Sequence, residues 1–375
     1  MKITKVEATG LYYRLRKPYY TSQRATDSRS CILVFVHTDE GIVGIGESDC
    51  AGGPLESTVT VIEQEIAPVV TGKDPFAVEA IWREMYQSRI QHGRRGILMH
   101  AMSGIDIALW DIIGKAAKLP LYKILGANSS RLRTYASGGY YMGDLDDRLG
   151  MTGLLENLES SLEKGFVDYK MKIGRLSVEA DMNRVREVRK RLPDDGELMV
   201  DSNFVYDLPA ALKCIPYLEE LEVKFWEEPL HVDNPEDAAY LATKTRIPLA
   251  GSENETSMFG FRDIMSKNAA YYLQPNVSRT GGITALKKIA GMAEAWNRVI
   301  APHCYSTMIN IVATMHVLAS IPNGLFLEWD ANETPFREDL IAQSFTIDGG
   351  YVNLQDGPGL GIELNMDTVN KYRKC

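Results

Sequence analysis

The sequence lacks long apolar runs, has few cysteines, and carries no excess of positive charge. No stretch of its 375 residues approaches the roughly 18 consecutive apolar positions of a membrane span, so no membrane partner is expected. Five cysteines (Cys31, Cys50, Cys214, Cys304 and Cys375) are an odd number, with neither disulfide-framework nor zinc spacing. The amino terminus has no apolar signal core and reads as a strand, so a cytoplasmic protein with reduced thiols is the expectation. A formal net charge of −9 argues against nucleic acid and anionic membrane surfaces as partners. Any anionic substrate would have to be held by local cations or a metal.

What is present is a beat of polar residues. Glu227, in Phe225-Trp226-Glu227-Glu228-Pro229, lies 26 residues after Asp201 and 26 before Glu253, and each carboxylate follows a short β-type run. Lys172, Asn276, His303 and Glu328 continue the beat outward. A strand, a loop, a helix and a return loop take about 25 to 30 residues, so the spacing predicts consecutive βα units of a closed parallel barrel. In such a barrel the C-terminal strand ends share one face, and the polar residues would converge there. The chain is long enough for a barrel of about 250 residues and a smaller domain.

Taken in order, residues 1 to about 50 read as an antiparallel meander, with strands at 30–37 and 42–47. Residues 16–26 look too irregular for an element, and 49–54 form a second loop; loops of this kind are either lids or ordinary solvated segments. From 55 to 125 the pattern is helical, and 96–117 is apolar nearly all round, as for a helix buried between domains. His100, Asp106 and Asp111 within it read as satisfied buried groups or caps. Barrel strands are expected near 133–139, 167–173, 198–201, 223–227, 248–252, 271–274, 298–301 and 325–328. The tail should pack back on the amino-terminal domain. The predicted division is 1–125, 126–335 and 336–375.

Three acidic side chains converging from neighbouring strands repel one another unless a cation intervenes, and oxygen ligands suit Mg²⁺. Asp201, Glu227 and Glu253 are therefore candidate metal ligands; helix capping is the plainer alternative. Lys170 and Lys172, two apart on a strand, share a face, and two close ammonium groups should lower each other's pKa toward that of a useful base. His303 is a candidate acid or base from another side of the pocket, with metal ligation as its second role. Glu328 and Asn203 could hydrogen-bond a substrate oxygen. Cys304 beside His303 reads as packing rather than nucleophile, and His37, His92, His231 and His316 as structural.

Together Lys170-Met171-Lys172, Asp201-Ser202-Asn203, Trp226-Glu227-Glu228-Pro229, Gly251-Ser252-Glu253-Asn254, Gln274-Pro275-Asn276, Gly281-Gly282, Pro302-His303, Glu328 and Asp356-Gly357-Pro358-Gly359-Leu360-Gly361 resemble the enolase superfamily, mandelate racemase subgroup. The resemblance covers nearly the whole chain. It implies an α/β fold: a modified TIM barrel, (β/α)7β, closed by an α+β capping domain built from both termini. It further implies Mg²⁺ on Asp201, Glu227 and Glu253, Lys172 as base on one substrate face, Lys170 tuning it, His303 serving the other face, and Glu328 on the substrate carboxylate. A homo-oligomer is implied as well. The chemistry would be removal of the proton α to a carboxylate.

One position departs from the subgroup. Asn276 stands where an aspartate usually pairs with the histidine, and an amide cannot stabilise imidazolium by charge. This argues against racemisation and for dehydration of a sugar acid, with His303, if protonated, delivering a proton to the departing hydroxide. Cycloisomerisation of a lactone or anhydro sugar acid, epimerisation, or binding of a sugar acid without turnover are the alternatives. Tyr20 and Arg24 in the capping loop, with Arg94 and Arg95, are candidate contacts for the substrate hydroxyls and carboxylate.

Overall fold

The computed structural model describes residues 1–142 and 147–375. Three long strands open the chain: β1 (Ile3–Tyr20), β2 (Ala25–Thr38) and β3 (Val43–Ser48), ordered β3-β2-β1 in an antiparallel sheet. The segment expected to be irregular, 16–26, is instead mostly the end of this hairpin, with Tyr19 opposite Thr26 and Tyr20 opposite Ala25. Its polar and aromatic side chains hid the pattern, because this end of the hairpin leaves the apolar core and faces the barrel. The sheet continues into β5 (Tyr141–Met142), which pairs with Tyr19 and Tyr20 and ties the hairpin tip to the chain leaving the first barrel strand.

Against this sheet lies the helix Ile97–Ala117, most of whose residues are buried. It is long and apolar enough to cross a membrane, contrary to the expectation that no segment would be. Its burial within the protein accounts for that composition. The close fit depends on Gly46, where an added Cβ would stand 1.9 Å from the Gly104 carbonyl oxygen.

The barrel strands are β4 (Arg131–Gly138), β6 (Asp168–Lys172), β7 (Leu198–Asp201), β8 (Trp226–Glu227), β9 (Leu249–Gly251), β10 (Tyr272–Leu273), β11 (Val299–Ile300) and β12 (Leu327–Asp330). They are parallel, in the order β12-β4-β6-β7-β8-β9-β10-β11, with a helix between each strand and the next. The seam between β11 and β12 is closed by one bridge, Ile300 to Gly324. Tyr135, Met199, Phe225, Ala250, Tyr272, Ala301 and Phe326 fill the interior as an apolar floor. After β12 the chain returns: β13 (Tyr351–Asn353) pairs antiparallel with β4, and then Leu360 N–H bonds Asp111 while Gly10 N–H bonds the Cys375 carbonyl. The tail thus adds a strand to the barrel before it reaches the cap.

Two buried carboxylates of the cap bind the amino ends of barrel helices. The helix Gly282–Ala295 has no side-chain cap of its own; Asp106 Oδ2 supplies one, accepting the Thr284 N–H at 2.9 Å. Trp82 donates to the Gly281 carbonyl at 2.7 Å and Ser103 accepts the Gly281 N–H at 2.9 Å. Gly282, at φ +83°, leaves the space Asp106 needs, since a Cβ there would meet Oδ2 at 2.3 Å. Glu47 does the same at the helix Met308–Leu318, accepting from the Asn310 N–H at 3.0 Å and the Thr307 hydroxyl at 2.5 Å. A cap of this kind contributes about 1 kcal/mol, and the helix dipole adds a similar amount.

Burial pushes the Glu47 carboxyl up to about 7, against the pull of the Ser306 and Thr307 hydroxyls and the Asn310 N–H. The folded state therefore holds this proton more tightly than the unfolded chain, and the stability it lends is present below about pH 4.5 and lost as the pH rises through 7. Glu47→Gln keeps an acceptor and removes the titration. Between pH 4.5 and about 8, urea denaturation should show the variant gaining on the wild type by about 3 kcal/mol. A difference independent of pH would sink the assignment.

Candidate active site

β6 places Lys170 and Lys172 on the inside of the barrel while Met171 packs outward among the helices. Backbone register sets Lys172, Asp201 and Glu227 side by side on β6, β7 and β8. Lys172 bonds Asp201 Oδ2. Lys170 reaches Glu227 Oε2 at 2.5 Å and Glu328 Oε1 at 2.8 Å, and Gln274 Nε2 donates to the same Glu227 oxygen at 2.6 Å. The other oxygen of Glu328 accepts the Cys304 N–H at 2.8 Å. All these side chains are buried. Burial works most strongly against a charge on Lys172 and Lys170 adds to it, but the charge and hydrogen bond of Asp201 together with Glu227 outweigh them and the pKa is raised. The mutual depression expected of the lysine pair is thus overridden by their carboxylate partners. For Glu328, burial is overcome by Lys170, which holds the carboxyl down at about 2.

Glu253 stands three residues beyond Ala250, the β9 partner of Glu227. Its Oε2 lies 3.2 Å from His303 Nε2, and its Oε1 accepts from Arg279 Nη1 at 3.2 Å. Arg279 also reaches Asp49 of the cap at 2.5 Å, so a charge chain runs from the second capping loop to the barrel mouth.

The amide of Asn276 fixes the state of His303. Its oxygen accepts the Ser278 backbone N–H at 2.8 Å and Asn310 Nδ2 at 3.0 Å, so its nitrogen must face His303 Nδ1, 2.8 Å away. A backbone N–H cannot reverse its role, so Nδ1 is an acceptor and the ring proton sits on Nε2, toward Glu253. Imidazolium would oppose two donors across that contact. Burial likewise lowers the pKa of His303, although Glu253 pulls the other way.

Asn203 is turned toward Asp201, its N–H on Oδ1 at 2.8 Å and its amide on Oδ2 at 3.3 Å. Tyr20 is half-buried beneath the Arg175 guanidinium, 4.5 Å from the ring centroid. Arg24 is exposed on the wall of a cleft of about 290 Å³ shared with Arg29, Asp49, Arg279 and Tyr305. Arg94 and Arg95 are exposed elsewhere, Arg95 pairing with Glu255 at 3.3 Å. From the cap it is Tyr19 and Arg29 that turn inward: Arg29 bonds the Tyr19 hydroxyl at 2.9 Å, the Tyr305 carbonyl at 2.6 Å and Asp330 at 2.8 Å. Tyr19 belongs to the capping stretch that the sequence offers beside Tyr20 and Arg24; sequence reasoning missed Arg29, together with Asp49, Gln274, Arg279 and Glu228. Arg29 carried one signal, a charge immediately before the apolar strand run. Cys304 is buried and its thiol is pushed up by burial, as befits packing.

Among the described residues, no three acidic, histidine or cysteine side chains stand together as a metal cage. The reason is visible: Lys172 holds Asp201 and Lys170 holds Glu227. Buried oxygens without partners remain, namely Glu227 Oε1, both oxygens of Glu228 and Asn203 Oδ1. Such an all-oxygen set fits a hard divalent cation.

Residues 4–126 match the family model described as mandelate racemase / muconate lactonizing enzyme, N-terminal domain, and residues 153–368 match enolase C-terminal domain-like. The chain belongs to the mandelate racemase subgroup of the enolase superfamily. Within the superfamily it is 34% identical to arabinonate dehydratase of Saccharolobus solfataricus, over 91% of this chain and 89% of that protein. It is 31% identical to D-galactarolactone cycloisomerase of Agrobacterium fabrum, over 100% of this chain and 99% of the other. A superfamily racemase from Streptomyces coelicolor, solved with bound magnesium, superposes with a TM-score of 0.91 at 26% identity, covering 99% of this chain and 100% of that one.

The Asn276 contact makes a direct prediction for this member of the superfamily. Nitrogen NMR of the imidazole should show an unprotonated Nδ1 and a protonated Nε2 in His303, and Asn276→Asp should move the proton to Nδ1. A wild-type Nδ1 that already carries the proton would refute the assignment.

Proposed function

We propose that the protein is a Mg²⁺-dependent sugar-acid dehydratase that removes the proton α to a carboxylate and expels the β-hydroxyl, giving a 2-keto-3-deoxy acid. The observation that carries this reading is the single row of Lys172, Asp201 and Glu227, with Glu253 and His303 beside it and Lys170 paired to Glu328. We also assign residues 1–125 to the cap, 126–335 to the barrel, and 336–375 to a segment that returns to the cap after adding β13 beside β4.

Asp201, Glu227 and Glu253 are the residues that would hold the cation. When bound, it supplies positive charge to the carboxylate oxygens of the substrate and so makes the α-proton acidic enough to remove. Lys172, once Asp201 no longer serves as its counterion, has a free ammonium that can lose its proton and act as base. Lys170 remains cationic between Glu227 and Glu328, so it holds charge and position rather than moving a proton. The electrons of the broken Cα–H bond become the enediolate, which collapses by breaking the β C–O bond.

The departing hydroxide needs a proton. A neutral His303 donates a hydrogen bond from Nε2 but holds no labile second proton, so delivery of a proton by His303 is left out of this proposal. The balance closes if Lys172 returns the proton it has just taken, so that water leaves and the base is regenerated. One competent base also argues against a racemase, which needs one on each face.

The same observation gives a second reading its support. In a lactone the β-leaving group is a carboxylate, which departs without protonation, so ring opening by a cycloisomerase asks less of His303 than dehydration does. Binding of a sugar acid without turnover is the third reading.

Proton NMR in deuterated water, with Mg²⁺ and a panel of sugar acids, diacids and lactones, separates the three. A 2-keto-3-deoxy product is the expected outcome, and a rearranged isomer would establish the second reading. Lys172→Ala should lower turnover by about a thousandfold or more and abolish α-proton exchange. Turnover that survives Lys172→Ala, or no exchange on any substrate, would overturn the proposal.

A further inference from the structure

Glu228, the residue after Glu227, is buried without a partner. It is 5% exposed and neither carboxylate oxygen meets a hydrogen-bond donor. A regular strand would send it outward, but its φ of +41° breaks the pleat. Its backbone is pinned on both sides, N–H to the Ala250 carbonyl at 3.0 Å and carbonyl to the Phe204 N–H at 2.6 Å. Gly251 gives its side chain room: a Cβ there would lie 3.3 Å from Glu228 Cγ. The strongest charges acting on Glu228 are those of Glu253, Asp201 and Glu227, all negative, against a weaker one from Lys172.

The neighbouring carboxylates each have a cation: Lys172 for Asp201, Lys170 for Glu227, Arg279 for Glu253. Glu228 has none among the described residues. A buried carboxylate without donor or counterion is costly, and backbone strain that aims it at three others is not a packing device. Helix capping does not account for it, because the next helix, Pro235–Ala242, is capped by Asn234.

We propose that Glu228 is a fourth carboxylate of the cation site, completing the negative charge that draws a divalent ion in among three carboxylates already paired with side-chain cations. This rests on the metal-dependent reading above and adds to it a residue with two uncommitted oxygens.

Two readouts on metal-stripped protein test it without any assay of turnover: Mg²⁺ affinity by titration calorimetry, and melting temperature with and without Mg²⁺. Glu228→Gln should weaken Mg²⁺ binding by about 10- to 100-fold. It should also shrink the rise in melting temperature that Mg²⁺ produces, because one carboxylate fewer then faces the ion. Glu228→Asp, which keeps the charge, should bind Mg²⁺ more tightly than the Gln variant. Wild-type affinity in Glu228→Gln, or an undiminished rise in melting temperature with Mg²⁺, would overturn the inference while leaving the proposed function standing. If the wild type itself takes up no Mg²⁺, the metal-dependent function falls, and this inference with it.

Discussion

The ammonium of Lys170 lies between Glu227 and Glu328, two strands to either side of β6, and both carboxylates owe their placement to it. It rests above the apolar floor, 5.3 Å from the centre of the Tyr135 ring, with almost no access to water. A charge buried this deeply survives only if its partners stay, and breaking one such pair costs about 3 to 5 kcal/mol. The mouth of the barrel is therefore a lattice of mutually dependent charges. Removing any one member strands another, and this holds the reacting groups in place before a substrate arrives.

The cap meets this lattice through Asp49 and Arg29, and the scaffold through further buried contacts. Asp49 extends the charge chain through Arg279 to Glu253, whereas Asp106 grips a helix end and Glu47 holds the backbone of Asn310, whose side chain orients Asn276. Docking strength and active-site charge are in this way carried by different residues. The cleft walled by Arg24, Arg29 and Tyr305 lies where the two meet.

Much of the barrel was legible because βα units impose a spacing, and Asp201, Glu227 and Glu253 keep it to the residue. Strand alternation likewise placed Lys170 and Lys172 on one face. Three things were not legible. The hairpin end around Tyr19 and Tyr20 has no apolar alternation, since it pairs with a strand 121 positions further on. Asn276 could be seen as unusual, but the direction of its amide is fixed by Ser278 and Asn310, which no spacing connects to it. Glu228 was hidden by its neighbour: adjacent strand residues face opposite ways unless the backbone kinks, and a φ of +41° leaves no trace in composition.

The bond between Gly10 and Cys375, and that between Asp111 and Leu360, join the cap to residues about 365 and 250 positions further along the chain. The helix Ile97–Ala117 packs chiefly on β2 and β3, which precede it, while the barrel helix Gly282–Ala295 that covers another face of it follows about 165 residues later. Until residues 357–375 are in place Gly10 and Asp111 lack their partners Cys375 and Leu360, so the last contacts of the cap form only after the chain of the barrel has been passed.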